Sequence, residues 1–416
     1  MFRRLPDLML LGASLLVGLA LAEGSLRLLG LSWPVFYRPD PILGEVPIPG
    51  AEGWDRSENA VFVRFNEHGM RDRPRSLPKP PGTLRIALLG DSYVEAKQVD
   101  LEETVGAVLE RELDLCPSLE GREVEVLNFG VSGYGTTQAL LMFRERARKF
   151  APDIVILGFF VGNDIRNNSL ALQGASKPHF VERDGDLVLD TSFAEGIGTL
   201  LRNSALGRSW YEMTPYSRTA QLVAATLRAR REREREERRR EEERTAATAA
   251  GTPGFEPGLD HAIFFEPAAE PWESAWRLSE KILARLRDEV EDTGAHFLLA
   301  TIGTGIQVHP DPAVRSAFAR TLGVPDLEAP ERRLSLIARR QAIDHLPLVP
   351  PLRRYAEVTG SCVHGFVGAV PCGGHWNSLG HRVAASALAE RICTLSASRA
   401  IADPGPGSLA RRPAAR

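Results

Sequence analysis

Short segments dominated by apolar residues alternate with amphipathic stretches along much of the chain. The apolar segments have the length and branching of buried parallel strands: Arg85–Leu89, Val124–Asn128, Ile154–Phe160 and His296–Ile302. Apolar positions recur at helical spacing in six other stretches: Glu102–Leu113, Thr136–Phe150, Trp272–Asp292, Arg332–Asp344, Leu352–Val358 and Ser378–Ile392. Strands that alternate with helices predict an α/β fold, here a three-layer, doubly wound parallel sheet.

The alternation is interrupted over about 169–272, where we predict an insertion. Asp184-Gly185 is a strong turn signal and predicts a hairpin over Phe180–Leu189. A helix is predicted over Ser217–Arg244, which ends in the charged run RARREREREERRREEER. Because glutamates in this run precede arginines by three or four positions, the run is typical of a solvated helical face.

Two segments flank the predicted α/β domain, which we place at residues 83–395. Residues 32–82 are rich in proline and glycine and contain short alternating pieces such as Val61–Phe65, so we predict a small strand-containing unit, called the preface below. Residues 396–416 combine proline and glycine with a basic end and are predicted to be a disordered tail.

The first 31 residues have the pattern of an export signal or a membrane anchor. Arg3 and Arg4 precede the apolar run Leu8–Ala22. An uncleaved helix would tether the protein to the membrane, with the two arginines on the cytoplasmic side. Cleavage near Ala22 would instead release a soluble exported protein. Both alternatives place the α/β domain outside the cytoplasm, in the periplasm or elsewhere in the cell envelope.

Composition narrows the possible partners. The chain has 51 basic and 54 acidic residues among 416, which gives no uniform positive field, so we exclude nucleic acid as a partner. The hydrophobic share of 43% is enough for one large core. No cysteine spacing indicates zinc. In an oxidising compartment the cysteines could form two disulfides, one of them Cys362 with Cys372, and free buried thiols are the alternative.

Four loops contain residue types that acyl transfer from an ester requires, namely a nucleophile, a base and hydrogen-bond donors for the oxyanion. Three loops follow successive predicted strands, and the fourth precedes the last helix. The four segments are Gly90-Asp91-Ser92, Asn128–Gly135, Gly162-Asn163-Asp164 and Gly374-His375-Trp376-Asn377. Each alone is typical of a turn or a helix cap. Their order at the carboxyl ends of strands predicts a common site.

With these segments the chain resembles the SGNH hydrolases, also called the GDSL esterase/lipase family, and in particular their exported, membrane-anchored bacterial branch. The resemblance covers Leu84–Phe160 and Val370–Ile392 and includes the preface segment Phe65–Asp72, FNEHGMRD. The matched blocks are Gly90-Asp91-Ser92, Gly133 within NFGVSGYG, Gly162-Asn163-Asp164, and His375 within GGHWNSLGH. The family fold that this implies is a flavodoxin-like doubly wound sheet.

The resemblance implies a role for each matched residue. Ser92 would be the nucleophile and His375 the general base. The N–H groups of Ser92 and Gly133 and the side chain of Asn163 would form the oxyanion hole. His381 is a rival imidazole, but its predicted place inside the last helix favours His375, which lies in the loop before that helix.

One departure from the family pattern puts the mechanism in doubt. The family usually has an aspartate two or three residues before the catalytic histidine, and this chain has Gly373 and Cys372 there. In a serine protease, spoiling that acid's role costs about 10⁴ in turnover. Either a carbonyl or a distant carboxylate orients His375, or the catalytic function is weakened or lost.

The resemblance implies a carboxylic ester hydrolase that forms an acyl-enzyme on Ser92, with no metal or organic cofactor. The expected substrate is a small-molecule, glycan or lipid ester or thioester, and the envelope location favours O-acetylated glycans or lipids. Two alternatives remain: transfer of the acyl group to a sugar hydroxyl, and a non-catalytic protein that kept the fold and binds a glycan or a partner. Membrane contact is expected through the N-terminal helix.

Overall fold

The computed structural model describes residues 5–227, 229–230, 259–367 and 371–398. The strands are, in chain order, β1 (Tyr37–Asp40), β2 (Gly44–Pro47), β3 (Glu52–Asp55), β4 (Val61–Arg64), β5 (Leu84–Gly90), β6 (Val124–Asn128), β7 (Ile154–Phe160), β8 (His179–Arg183), β9 (Asp186–Asp190), β10 (His296–Ile302) and β11 (Asp344–Pro347).

The helices follow the same order. They are α1 (Leu5–Leu28), α2 (Ser92–Glu95), α3 (Val105–Leu113), α4 (Thr136–Glu145), α5 (Asp164–Asn168), α6 (Leu170–Gln173), α7 (Ile197–Asn203), α8 (Ala205–Met213), α9 (described over 218–227 and 229–230), α10 (Trp272–Glu291), α11 (Pro312–Leu322), α12 (Ala329–Arg340), α13 (Val349–Thr359) and α14 (Ser378–Ala397).

The centre of the fold is a five-stranded parallel sheet in the order β6-β5-β7-β10-β11. Successive side chains of a strand face opposite sides, so on β5 Ala87 and Leu89 join one apolar cluster while Ile86 and Leu88 join the other. Helices α4 and α10 cover the first side, and α3, α13 and α14 cover the second. The predicted three-layer, doubly wound α/β fold is therefore confirmed. Its strand order reverses between β5 and β7, where such sheets bind ligands.

The preface consists of two antiparallel hairpins, β1 with β2 and β3 with β4, which share a small apolar cluster. It is joined to the sheet domain by buried charged side chains. The Arg71 guanidinium, only 2% exposed, donates to the carbonyl oxygens of Glu95, Ala96 and Val99. The strand-containing character of this segment agrees with the sequence analysis, whereas the domain boundaries stay a prediction.

The insertion contains the predicted hairpin, observed as β8 and β9 paired about Asp184-Gly185. It also contains α7 and α8, which the sequence analysis did not predict. The predicted helix over Ser217–Arg244 begins as α9, and most of its charged run, from residue 231, lies outside the described residues.

Several predicted helix and strand bounds were wrong, each for a local reason. Helix α3 begins at Val105 rather than Glu102 because Leu101–Glu103 forms a 3₁₀ turn and Thr104 caps the helix. Helix α4 ends at Glu145, before a second 3₁₀ turn. The edge strand β11 was missed because it is short and largely polar. Helix α14 includes the first two residues of the predicted tail, and 399–416 lie outside the described residues.

The N-terminal apolar run forms helix α1, which continues beyond Ala22 to Leu28. Its segment Met9–Leu28 has a mean hydropathy of 1.8 and none of it is buried in the protein. A span of 20 residues is long enough to cross the hydrocarbon core of a bilayer. Within the described residues, α1 is thus the one candidate membrane span, and a signal sequence would have the same properties.

Candidate active site

Ser92 is the first residue of α2, directly after β5 ends at Gly90. The backbone turns sharply here, with φ of +158° at Gly90, and a Cβ on that glycine would lie 2.5 Å from a methyl group of Val94 and 2.9 Å from the Gly158 carbonyl oxygen. Only glycine fits this turn. The Asp91 carboxylate caps α2 by accepting the N–H of Tyr93, which leaves the Ser92 side chain at the partly exposed sheet edge.

His375 lies in the loop before α14, and several contacts hold that loop. The N–H of Gly365 donates to the His375 carbonyl oxygen, and a disulfide joins Cys362 to Cys372. Asn377 caps α14 through the N–H groups of its first turn and also donates to the Cys362 carbonyl oxygen. The second cysteine pair, Cys116 with Cys393, is also disulfide-bonded, so the disulfide alternative of the sequence analysis is the one observed.

The structure brings Ser92 and His375 into direct contact although 283 positions separate them. The distance between Ser92 Oγ and His375 Nε2 is 2.7 Å. Tyr93, the next residue on α2, stacks against the His375 ring with centroids 4.9 Å apart and donates its hydroxyl to the Gly374 carbonyl oxygen at 3.0 Å. Tyr93 therefore holds the loop of His375 against α2, next to the contact between Ser92 and His375.

The other ring nitrogen of His375 contacts a carboxylate that the sequence analysis missed. Glu58, in the turn between β3 and β4 of the preface, bonds to His375 Nδ1 through Oε1, and its Oε2 accepts the His375 N–H at 3.1 Å. Gly374 makes room for this contact, because a Cβ there would lie 2.7 Å from Glu58 Oε2. The missing aspartate is thus replaced in space by a glutamate from 317 positions earlier in the chain.

This contact favours the ionised form of Glu58 and determines which ring nitrogen of His375 carries a proton. Burial opposes ionisation of Glu58, but the hydrogen bonds and the charge of His375 outweigh it and hold the pKa of the Glu58 carboxyl below its ordinary value. An ionised carboxylate only accepts hydrogen bonds, so Nδ1 of His375 carries a proton. Nε2 then faces the Ser92 hydroxyl, which is the arrangement of a nucleophile with its base.

The three predicted oxyanion donors are positioned differently. Asn163 Nδ2 donates to Asp91 Oδ2 at 3.2 Å, which holds the Asn163 amide next to the residue that precedes Ser92. Gly133 lies in the exposed turn after β6, and no hydrogen bond joins it to Ser92, Asn163 or His375 in the part of the chain described. Among the described residues the N–H groups of Ser92 and Gly133 donate to no protein acceptor. Both are therefore free to donate to a ligand.

A lysine from the insertion reaches the same turn. Lys177 Nζ donates to the Gly133 carbonyl oxygen at 2.7 Å. Burial lowers the pKa of Lys177 to about 8, although the charges of Asp164 and Asp91 oppose that change. Burial, and then the neighbouring Asp91, raise the pKa of Asp164 well above its ordinary value. The sequence analysis did not identify Lys177, because nothing near it in the chain marks a site.

The rival imidazole does not lie at this site. His381 is buried in the first turns of α14, and its Nδ1 accepts the N–H of Val105 at 3.2 Å. Burial lowers the pKa of His381 to about 3, so its ring is neutral. His381 therefore packs α14 against α3, and the preference of the sequence analysis for His375 agrees with this position.

Comparison with solved structures gives similarities at low identity. An alpha/beta hydrolase enzyme, LAE5, from the metagenome of Lake Arreo is 14% identical, with a TM-score of 0.35, covering 77% of this chain and 96% of that one. Axe2, an acetylxylan esterase from Geobacillus stearothermophilus, is 11% identical, with a TM-score of 0.36 and coverages of 75% and 95%. TesA is 14% identical, with a TM-score of 0.34 and coverages of 75% and 99%. No protein-family model and no curated protein matches the chain. At these TM-scores the functional argument rests on the site itself.

Proposed function

We propose that this protein is an ester hydrolase of the SGNH kind, in which Ser92 is the nucleophile, His375 is the general base and Glu58 is the carboxylate that orients His375. The observation that carries the proposal is the continuous series of contacts from the Glu58 carboxylate through both ring nitrogens of His375 to Ser92 Oγ. A neutral, correctly oriented imidazole beside a hydroxyl is what activates serine as a nucleophile.

In the acylation step, Ser92 Oγ attacks the ester carbonyl carbon while its proton moves to His375 Nε2. The resulting oxyanion accepts hydrogen bonds from the N–H groups of Ser92 and Gly133 and from the Asn163 amide. When the intermediate collapses, the bond to the alcohol oxygen breaks and His375 returns the proton to that oxygen. Water then attacks the acyl-enzyme by the same route, which releases the acid and restores Ser92.

Glu58 takes the part of the missing aspartate in this scheme. It holds the Nδ1–H tautomer and stabilises the imidazolium that forms when Nε2 takes the proton. The hypothesis of a non-catalytic protein drew its support from the absent acid, and the Glu58 contact removes that support. The enzyme is therefore the better account of these residues.

The proposed substrate is an ester carried by an envelope component, with O-acetylated glycans or lipids as the class expected. We propose that α1 stays in the membrane and holds the sheet domain on its outer side. The partial exposure of the His375 side chain, 25%, supports water as the acyl acceptor over a sugar hydroxyl. Mass spectrometry of the mature protein tests the tether, because an N-terminus at Glu23 would show that α1 is cleaved.

A fluorophosphonate probe tests the chemistry. The probe reacts with activated serines, so it is expected to label the wild-type protein and not Ser92→Ala. Ser76→Ala is the matched control, because Ser76 is exposed and its hydroxyl donates to the Pro78 carbonyl oxygen, far from the Ser92–His375 contact in the chain. Hydrolysis of a soluble acetyl ester should disappear together with labelling. Absence of labelling and of hydrolysis in correctly folded wild-type protein would refute the proposal.

A further inference from the structure

Helices α7 and α8 of the insertion turn large apolar side chains outward. Six of these side chains are between 41% and 85% exposed: Ile197, Leu200, Leu201, Leu206, Trp210 and Met213. We call them the α7–α8 apolar surface. Single exposed apolar residues are ordinary, whereas a set of this size on two successive helices marks an interaction surface.

The apolar side chains form a stripe on each helix. Leu206, Trp210 and Met213 are spaced four and three residues apart, which places them on one side of α8. Tyr211 is on another side and packs against the apolar cluster of the preface. Arg208 is on a third side, so α8 has a core-facing side, a polar side and an apolar side that the described residues leave uncovered. This is the pattern of a helix that lies in a membrane interface.

Hydrogen bonds join the segment that directly follows α8 to the end of α1. Glu23, near the end of α1, accepts the N–H groups of Arg218 and Thr219 at 3.0 and 2.9 Å, and Arg27 Nη2 donates to the Tyr216 carbonyl oxygen at 2.6 Å. Tyr216 comes three positions after Met213, and a chain spans at most about 3.6 Å per residue, so the end of α8 lies within about 11 Å of Tyr216.

We propose that the α7–α8 apolar surface rests on the lipid bilayer in which α1 is embedded. Lipid is the occupant that fits, because the surface is tied to the end of a helix whose span Met9–Leu28 is wholly unburied in the protein. Trp210 and the 76% exposed Tyr216 are the residue types that concentrate at membrane interfaces. The sheet domain is then held in one orientation on the membrane rather than hanging from a single helix.

This inference rests on the membrane tether of the proposed function and is independent of the ester chemistry. It can be tested on the full chain in nanodiscs of phosphatidylethanolamine and phosphatidylglycerol. Single cysteines introduced by Leu206→Cys and Met213→Cys are labelled with an environment-sensitive fluorophore, since the four native cysteines are disulfide-bonded. Glu212→Cys is the matched control on the polar side of α8, and Leu16→Cys reports on α1 itself.

Doxyl-labelled lipids should quench the labels at residues 206, 213 and 16 several-fold more than the label at residue 212. Quenching at residue 16 without quenching at 206 and 213 would overturn the docking and leave the tether intact. No quenching at residue 16 would overturn both. Shielding of 206 and 213 that is lost on dilution and is insensitive to doxyl lipid would assign the surface to a second copy of the chain. Labelling of Ser92 by the fluorophosphonate probe in the same samples reports on the ester chemistry separately.

Discussion

The preface and the insertion are both additions to the α/β sheet domain, yet they are attached in different ways. The preface is fixed by buried charged groups, such as Arg71, and Tyr37 donates to the buried Glu95 carboxylate at 2.7 Å. Helices α7 and α8 of the insertion contain no buried residue, and they meet the rest of the protein along one side. The preface is therefore integrated into the packed interior of the protein. Helices α7 and α8 instead lie on the surface, with apolar side chains that the described residues leave exposed.

The difference agrees with the role that we propose for each segment. A residue that orients a catalytic base must be held within a few tenths of an ångström, which requires support from several directions. The turn that contains Glu58 has such support, since Asn59 Nδ2 donates to the Gln98 carbonyl oxygen at 3.0 Å and Asp55 lies 3.7 Å from Lys97 Nζ. A surface that contacts lipid needs no fixed partner atoms. Polar contacts with the sheet domain thus distinguish the addition that we propose takes part in the chemistry.

The strongest test of the comparison is Glu58→Gln. An amide at this position no longer enforces the Nδ1–H tautomer or stabilises the imidazolium, so we expect kcat for a soluble ester to fall by roughly 10²–10⁴-fold with little change in KM. The measurement is steady-state kinetics together with the rate of fluorophosphonate labelling. Glu58→Asp keeps the charge and should recover part of the loss.

Glu52→Gln is the control for this variant. Glu52 lies on β3 of the same hairpin and, among the described residues, pairs with the exposed Arg64 alone, so its loss should leave the rate unchanged. Equal rates for Glu58→Gln and wild type would show that His375 is oriented by something else, and that the preface has no part in the chemistry.

A second test weakens the attachment of the preface to the sheet domain and leaves Glu58 unchanged. Arg71→Met leaves three buried carbonyl oxygens without their charged donor, and we expect a loss of about 2–4 kcal/mol in the free energy of unfolding, measured in urea. Arg64→Met, which removes an exposed ion pair, should cost less than about 1 kcal/mol. Equal losses for the two variants would mean that the buried contacts do not set the attachment of the preface.

The fold could be predicted from the sequence because its signals are local. Each of β5, β6 and β7 is a short apolar segment, and the loop that follows each strand has the polar residues of the site. The strand β11 could not be found in this way, since Asp344 and His345 give it no apolar pattern and it is a strand only because it pairs with β10. Helices α7 and α8 were missed because they have apolar residues on their exposed side as well, so their sequence lacks the clear alternation of an apolar and a polar side.

The site could be predicted only in part, for a related reason. Ser92 and His375 lie in segments whose composition marks them, and their contact follows from the order of strands in the sheet. Glu58 lies between Ser57 and Asn59 in a polar turn that resembles any other. Its contact with His375 depends on how the preface packs across the sheet edge, which no local pattern encodes. The one indirect sign was Gly374, whose missing Cβ leaves room for a carboxylate.

The smallest expected effect concerns Lys177, a residue of the insertion that contacts the turn of Gly133. Lys177→Met removes a cation from the turn that contains Gly133, and we expect kcat/KM to fall about tenfold, or about 1.4 kcal/mol of transition-state stabilisation. The pKa of Lys177 is lowered to about 8, so the amine is charged below that pH and neutral above it. The wild-type rate should therefore decline as the pH rises through 8, and the variant should lack that decline.

Two further variants decide whether charge or mere presence of the side chain matters. Lys177→Arg keeps the charge across the range and should move the decline to higher pH. Lys281→Met, which removes an exposed lysine paired with Glu182, should leave the profile unchanged. A profile of Lys177→Met that matches wild type at every pH would place the whole insertion outside the chemistry. The contrast with the preface would then be complete, since one addition would serve catalysis and the other only attachment.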